Sequence, residues 1–239
     1  MKNVLVIGAT GDVGQGICRA LLGAGHRVVG ASRNLVNLEA LKKRLAHHGS
    51  LDLVPGSVAS VSEARDLLDK VKRLVGKLDC VITTVNQKTG KKPLIERDPE
   101  DLKKHLEANL IPHFIAAQIF IDAIEAGGMY LSIGGGMADF IVPGNGLGAV
   151  AQAAQRNMFR MISREARGGP VLIRELLLYS HITGESNRVG ADPAWFTDIE
   201  CGRHVLAIMS DPDKFPGPIL GLKAKEQVGQ PEPQAEKKH

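Results

Sequence analysis

The stretch that decides the fold is Val4-Leu5-Val6-Ile7-Gly8-Ala9-Thr10-Gly11-Asp12-Val13-Gly14-Gln15-Gly16. Its four consecutive apolar residues predict a buried strand, and the glycines after them predict a tight turn into a helix. Gly8, Gly11 and Gly14 recur at every third position, which lets a backbone approach a pyrophosphate at a helix N-terminus. Such a turn can also serve close packing alone. The glycine spacing therefore indicates a dinucleotide site only together with the strand that follows the predicted helix at residues 13–24.

The second predicted strand, residues 27–31, runs into Ser32-Arg33. An acidic residue at this strand end would hold the adenosine ribose hydroxyls of NAD. The cationic Arg33 instead suits the 2′-phosphate of NADP, although a solvated surface arginine is the alternative. The two segments together predict a site for NADP(H) rather than NAD(H).

Size and composition limit the class of protein. The chain has 239 residues, 44% of them hydrophobic, and a net charge of +4. We expect one α/β domain that binds no nucleic acid, because the basic residues are scattered among acids. No apolar run reaches the ~20 residues that span a bilayer, so no membrane association is expected. Cys18, Cys80 and Cys201 are far apart with no ligand spacing, which predicts a cytoplasmic protein without a metal.

Strand-like and helix-like segments alternate along the chain, a pattern typical of a parallel sheet covered on both faces. We predict strands at 3–7, 27–31, 51–54, 78–84, 129–133, 171–178 and 218–222, and helices at 13–24, 34–47, 60–75, 99–125, 147–167 and 196–210. This predicts a single, doubly wound Rossmann-fold domain with a seven-stranded parallel sheet over residues 1–222. Residues 223–239, rich in charge and proline, are predicted to form a flexible tail.

Four further segments resemble the short-chain dehydrogenase/reductase family over about residues 3–222. After the glycine turn, Thr83-Thr84-Val85-Asn86 stands at the strand end that the family usually writes N-N-A-G. Asn109 matches the helical asparagine of the family's catalytic tetrad. Ser132-Ile133-Gly134-Gly135 matches the strand that carries its serine, and residues 152–165 match its long interface helix.

The resemblance implies a set of cofactor-binding residues, spread over the first four strand ends and the long helix. Ser57 replaces an aspartate that usually touches the adenine amino group, and Gln152 is expected to reach the ribose hydroxyls. The predicted set is Gly8, Thr10, Gly11, Asp12, Val13, Gly14, Ser32, Arg33, Ser57, Val58, Thr84, Val85, Asn86 and Gln152.

The family's Y-x-x-x-K pair aligns with Gly148 and Gln152, and its serine with Gly134 or Gly135. Glycine cannot donate a proton, and a neutral glutamine cannot lower the pKa of a neighbour as a lysine does. The chain has no lysine between residues 104 and 214, and its only tyrosines are at 130 and 179. The tetrad is therefore predicted to be missing rather than displaced.

Three residues are candidates for catalysis. Asn109 aligns with the tetrad, although bracing a helix kink would also explain it. Tyr179 and His181 follow the sixth strand beside the expected pocket and could donate a proton. A packed tyrosine and a solvated loop histidine are the alternatives. The polar segment 183–195 resembles the family's substrate lid.

The sequence therefore predicts an NADP(H)-dependent oxidoreductase that acts on a small-molecule carbonyl or alcohol. One alternative is a catalytically silent, cofactor-binding structural or regulatory subunit; another is a non-redox cyclase or isomerase. By resemblance, the apolar helices at 102–125 and 148–167 would form a homo-oligomer, or a hetero-oligomer with an active relative. We count Ile111, Phe114, Ile115, Ile119, Met158, Phe159 and Ile162 among their surplus apolar side chains.

Overall fold

The computed structural model describes residues 1–233; residues 234–239 of the predicted tail lie outside this range. Its strands are β1 (Asn3–Ile7), β2 (Arg27–Ser32), β3 (Leu51–Pro55), β4 (Leu78–Thr83), β5 (Ile124–Gly135), β6 (Leu172–Leu178), β7 (Ile182–Thr183), β8 (Phe196–Thr197) and β9 (Ile219–Leu222). Its α-helices are α1 (Asp12–Gly23), α2 (Leu35–Leu45), α3 (Val61–Val75), α4 (Pro99–Asn109), α5 (Ile111–Phe120), α6 (Gly146–Glu165) and α7 (Asp198–Ser210).

Seven of the strands form one parallel sheet in the order β3-β2-β1-β4-β5-β6-β9. The order reverses direction after β1, which creates a crevice beyond the carboxyl ends of β1 and β4. The predicted doubly wound Rossmann fold with a seven-stranded parallel sheet is confirmed. The remaining two short strands, β7 and β8, pair with each other and were not predicted.

Two apolar cores cover the two faces of the sheet. One core packs α1, α2 and α7 on the sheet, with Ile17, Leu41 and Val205 among its buried residues. The other packs α3, α5 and α6, with Leu67 and Phe120 fully buried. Burial on both faces explains why the central strands are almost continuously apolar.

The predicted helix over residues 99–125 is interrupted at Leu110, and its α-helical part ends at Phe120. The chain forms α4 and α5 with a break at Leu110, since Pro112 lacks the N–H that a continuous helix would need. After α5, β5 already begins at Ile124. Gly127, with φ +82°, lies in the irregular start of β5.

The described part of the predicted tail contacts the domain. Lys225–Gln227 form a short 3₁₀ turn, and Val228 packs against the α7 side of the sheet. The Gly229 N–H donates to His204 Nδ1 at 3.1 Å. The structure thus places this segment against α7.

Candidate functional site

The glycine turn joins β1 to α1 by close backbone contacts. Gly8 has φ +86°, a conformation that glycine adopts without strain. A Cβ on Gly14 would lie 2.3 Å from the Gly8 carbonyl oxygen, so only glycine fits there. A Cβ on Gly11 would meet nothing nearer than that oxygen at 3.5 Å. The outer side of the turn is therefore open to a ligand.

The first turn of α1 offers its backbone N–H groups to this open side. The N-cap residue, Gly11, has no side chain to cap them. Uncapped N–H groups and the helix dipole favour an anion such as a pyrophosphate. The backbone of Asp12 and Val13 belongs to this turn, and the turn therefore fits a dinucleotide.

The Asp12 side chain faces away from the turn, toward the predicted lid. Its carboxylate accepts hydrogen bonds from the Ser186 N–H, at 3.0 Å, and from the Ser186 hydroxyl. Gly184 packs directly against the same side chain, where a Cβ would come within 2.4 Å of it. Asn187 closes the lid turn, because its side-chain oxygen accepts from the Gly184 N–H at 2.9 Å. The lid is thus anchored to the glycine turn.

The end of β2 lies next to the glycine turn. Thr10 and Ser32 share a hydrogen bond between their hydroxyls at 2.9 Å, which joins the two segments. Arg33 follows and is exposed, and Asn34 caps α2 through the Asn37 N–H. Two hydroxyls therefore join the end of β2 to the glycine turn, and Arg33 follows them on the surface.

Ser57 and Val58 lie after β3 at the same edge of the sheet. The Ser57 hydroxyl accepts from the Ala59 N–H at 3.0 Å and donates to Glu63 at 3.2 Å. Val58 is buried in the core beneath α3. In this arrangement the Ser57 hydroxyl serves its own turn at the start of α3.

The end of β4 is held from both sides. The Thr84 hydroxyl donates to the carbonyls of Ile7 and Gly8, both at 3.1 Å. The Val85 carbonyl accepts from His113 at 2.8 Å. Asn86 follows on the surface. Thr84 thus lies directly beside the glycine turn, and Val85 is bonded to α5.

Single side chains lie close to the positions aligned with the family's tyrosine and serine. A Cβ on Gly148 would lie 3.0 Å from the Met137 methyl group. A Cβ on Gly135 would lie 2.5 Å from both polar atoms of the Gln152 amide. The Gln152 oxygen is buried and makes no hydrogen bond within residues 1–233. Gln152 therefore lies over the end of β5.

The three predicted catalytic residues lie apart. Asn109, at the end of α4, is buried and accepts from the Gln87 N–H at 2.6 Å. Tyr179, after β6, packs on Gly136 and donates its hydroxyl proton to Asp139. His181 is exposed, with its ring 5.0 Å from that of Trp195.

Charged groups surround the Tyr179 hydroxyl. Its acceptor Asp139 also forms a salt bridge with Arg156 of α6, and the Lys223 ammonium lies 5.2 Å from the centre of the Tyr179 ring. Burial and the nearby Glu232 carboxylate raise the pKa of Tyr179. A raised pKa is the opposite of what the family's lysine does to its tyrosine.

Sequence reasoning missed a buried polar cluster beneath the site. His113, Ser132 and Gln155 are hydrogen-bonded to one another, and burial lowers the pKa of His113 to about 4. Glu175 lies next to this cluster, packed on Gly134, and burial raises its pKa to about 8. A signal was present, because Glu175 interrupts the apolar strand segment 172–178.

Two general features of residues 1–233 bear on the class of site. No helix in this range combines the length and the apolar character needed to cross a bilayer. Nor does this range bring three or more His, Cys, Asp or Glu side chains together as a metal site. The site described above is therefore built from backbone, hydroxyl, amide and charged groups.

The family model of the short chain dehydrogenases matches residues 2–174, and the chain belongs to this family. It is 24% identical to 3beta-hydroxysteroid dehydrogenase 2 of Eggerthella lenta and 30% identical to L-fucose dehydrogenase of Oryctolagus cuniculus. Each match spans 110 residues, 46% of this chain, and only 42% and 38% of those relatives.

Solved structures show the same fold at low identity. An alcohol dehydrogenase from Thermococcus sibiricus, solved in complex with 5-hydroxy-NADP, superposes with a TM-score of 0.80 at 21% identity. The alignment covers 98% of this chain and 100% of that one. The shared fold therefore extends beyond residue 174 and includes β9.

Proposed function

We propose that the chain is an NADP(H)-dependent oxidoreductase acting on a carbonyl or alcohol group of a small molecule. The observation that carries the proposal is the position of Arg33. It follows β2 on the surface, beside the Thr10–Ser32 hydroxyl pair and next to an uncapped helix N-terminus. A cation at that place favours a 2′-phosphate over a free ribose hydroxyl.

When bound, the nicotinamide would supply hydride transfer to or from the substrate. The first turn of α1 would bind the pyrophosphate through its N–H groups. Thr84, Val85 and Asn86 would line the middle of the cofactor, and the Gln152 amide would hydrogen-bond the nicotinamide ribose. The buried, unpaired Gln152 oxygen supports this role, because a ribose hydroxyl would satisfy it.

The proton step is where this proposal departs from the family's mechanism. We take the tetrad to be degenerate, since Gly148 and Gly135 carry no proton donor and Gln152 no charge. Tyr179 and His181 are the candidates to replace the donor. Tyr179 is the better placed of the two, because it packs on Gly136 at the end of β5, whereas His181 packs on Trp195. Its raised pKa makes it a weak acid, so slow turnover is expected.

A catalytically silent, cofactor-binding subunit is the second candidate. It is favoured by the way in which Met137 and Gln152 fill the space over Gly148 and Gly135. An active family member needs space at these two positions for its tyrosine and serine side chains, whereas a silent subunit does not. A silent subunit would keep the cofactor and lose the chemistry.

We further propose that the chain assembles through α5 and α6. Ile111, Phe114, Val150 and Met161 are 40%, 46%, 39% and 52% exposed. Exposed apolar side chains on neighbouring helices favour a self-complementary interface. Two of the apolar residues counted from the sequence do not contribute, because Ile115 and Phe159 are core residues, 7% and 0% exposed.

The decisive experiment is titration of the purified protein with NADPH and NADH, followed by a hydride-transfer assay over a broad panel of ketones, aldehydes and alcohols. Tight NADPH binding with slow turnover that falls at least tenfold in Tyr179→Phe supports the oxidoreductase. His181→Ala is the matched variant for the other candidate donor. Binding without turnover on any substrate supports the silent subunit, and failure to bind either dinucleotide overturns both.

A further inference from the structure

Two side chains on either side of the helix break at Leu110 hold the segment after β4. The Asn109 side-chain oxygen accepts from the Gln87 N–H at 2.6 Å, and His113 Nε2 lies 2.8 Å from the Val85 carbonyl oxygen. Asn109 and His113 are 6% and 0% exposed. Residues 85–87 are therefore fixed by one acceptor and one donor from the same side.

A chain of hydrogen bonds behind His113 fixes which ring nitrogen carries the proton. The Gln155 amide nitrogen donates to the Ser132 hydroxyl oxygen at 3.0 Å and to the Ile133 carbonyl at 3.1 Å. The Val85 carbonyl oxygen can only accept, so Nε2 carries the ring proton, and the Ser132 hydroxyl donates to His113 Nδ1, 2.9 Å away. With Nδ1 accepting, the ring proton is on Nε2 and is donated to Val85.

This Ser132–His113 pair has the distance of a nucleophile and its base, but it cannot act as one. Both residues are fully buried, and Phe159 packs edge-on to the imidazole with ring centres 6.5 Å apart. A nucleophile needs access to substrate, which neither side chain has. The chain of hydrogen bonds ends instead on the Val85 carbonyl, in the segment after β4.

We propose that His113 is a positioning residue for the nicotinamide cofactor, acting through the Val85 carbonyl. The inference rests on the proposed function, because it takes residues 84–86 to be the cofactor's contact. Thr84 is tied to β1 and Gln87 to α4, and the bond at the Val85 carbonyl holds a peptide group between these two anchors. With Val85 fixed inward, Asn86 is presented on the outer side.

Three variants test this role. His113→Gln keeps a donor that can reach the Val85 carbonyl, and His113→Leu fills the space without one. Ile115→Ala, on the same helix, removes buried volume without touching the segment and controls for lost stability. We measure the dissociation constant for NADPH at a temperature where each variant is folded, and amide hydrogen exchange of residues 84–90 without cofactor.

His113→Leu is expected to weaken NADPH binding at least tenfold and to speed exchange of the Gln87 amide, which donates to Asn109, at least tenfold, whereas His113→Gln and Ile115→Ala stay within threefold of the parent. Unchanged binding in His113→Leu, or an equal loss in Ile115→Ala, overturns the inference. If the parent binds neither dinucleotide, the proposed function fails by itself. The exchange experiment still decides the role of His113, because unchanged exchange in His113→Leu overturns it.

Discussion

The side-chain amide of Gln152 lies directly over the Cα of Gly135, so that a Cβ at position 135 would come within 2.5 Å of it. One residue from α6 thus occupies the space that belongs to a side chain of β5. A serine at position 135 would require the Gln152 amide, the far end of a flexible side chain, to move, so the two positions are coupled. The effects of substitutions at residues 135 and 152 are therefore not expected to be additive.

We expect that the family's catalytic residues can be restored only together. The triple variant Gly135→Ser, Gly148→Tyr, Gln152→Lys should raise ketone reduction at least tenfold, because general acid catalysis contributes about 10²–10⁴-fold. Gly135→Ser alone should add no activity, because it supplies neither the tyrosine nor the lysine, and it should change stability little, since the Gln152 amide at the end of a flexible side chain can move aside. Steady-state NADPH oxidation and thermal unfolding measure the two effects.

The flexible Met137 methyl group near Gly148 should move aside for the new tyrosine. Met137→Ala in the triple variant is the control for this packing. No gain of activity in either background, with NADPH binding intact, would show that the remaining pocket does not align substrate and cofactor. That result would favour the silent subunit.

Arg33→Ala should remove most of the preference for NADPH over NADH. A charge-assisted contact to the 2′-phosphate is worth about 1.5–3 kcal/mol, roughly ten- to hundredfold in affinity. NADH affinity should change little. Arg44→Ala, an exposed arginine at the other end of α2, is the control and should leave both affinities unchanged. Equal NADPH and NADH affinities in the parent would contradict the assignment of Arg33.

The sequence was sufficient to predict a seven-stranded parallel sheet, because apolar strands alternate with helices along the chain, whereas the order of the strands comes from the structure. The prediction from the sequence failed at Leu110, where a proline inside an apolar helical pattern broke the helix locally. It also failed for Ile115 and Phe159, because helical periodicity does not tell which apolar residues the sheet covers.

The parts of the candidate site that are formed by one short segment could be predicted from the sequence. The parts that are formed by contacts between side chains far apart in the sequence could not. The glycine turn and Arg33 were found from local spacing. The contact of Asp12 with Ser186 joins residues 174 positions apart, and that of His113 with Val85 depends on a helix packing across β4. Neither contact leaves a local pattern in the sequence.

We expect the protein to form dimers or larger oligomers at micromolar concentration in sedimentation velocity. The double variant Phe114→Asp, Met161→Asp should shift it to monomer, because both exposed side chains would place charge in an apolar interface. Leu74→Asp on α3, where the leucine is 43% exposed, is the matched control and should not change the oligomer. A monomeric parent would contradict the proposed assembly.

The lid should open more often when its contact with the glycine turn is lost. Ser186→Ala removes the hydroxyl that donates to the Asp12 carboxylate, a charge-assisted bond worth about 1.5–3 kcal/mol. Trypsin cleavage after Arg188, which is 63% exposed in the same lid, should therefore become roughly tenfold faster. Asp192→Asn, in the same segment but not in contact with the turn, should leave the rate unchanged. An equal rate in Ser186→Ala would show that this contact does not hold the lid.

Stability should depend on pH through two buried groups that act in opposite directions. His113 has its pKa lowered from 6.5 to about 4, so the unfolded chain binds the extra proton between these values and stability rises with pH. Glu175 has its pKa raised from 4.5 to about 8, so the folded chain binds the extra proton and stability falls as pH rises. The contributions of His113 and Glu175 to the pH dependence of the free energy of unfolding cancel between about pH 4.5 and 6.5. Above that window only the contribution of Glu175 remains.

The free energy of unfolding should therefore fall by about 1.4 kcal/mol per pH unit between about pH 6.5 and 8 in the parent protein. Glu175→Gln keeps the shape of the side chain beside Gly134 and removes the titration, so this fall should disappear. Urea unfolding at several pH values across that window measures the slope. Glu165→Gln, at the exposed end of α6, is the control and should keep the parent's slope. The same slope in Glu175→Gln as in the parent would show that Glu175 is already ionised in the folded protein.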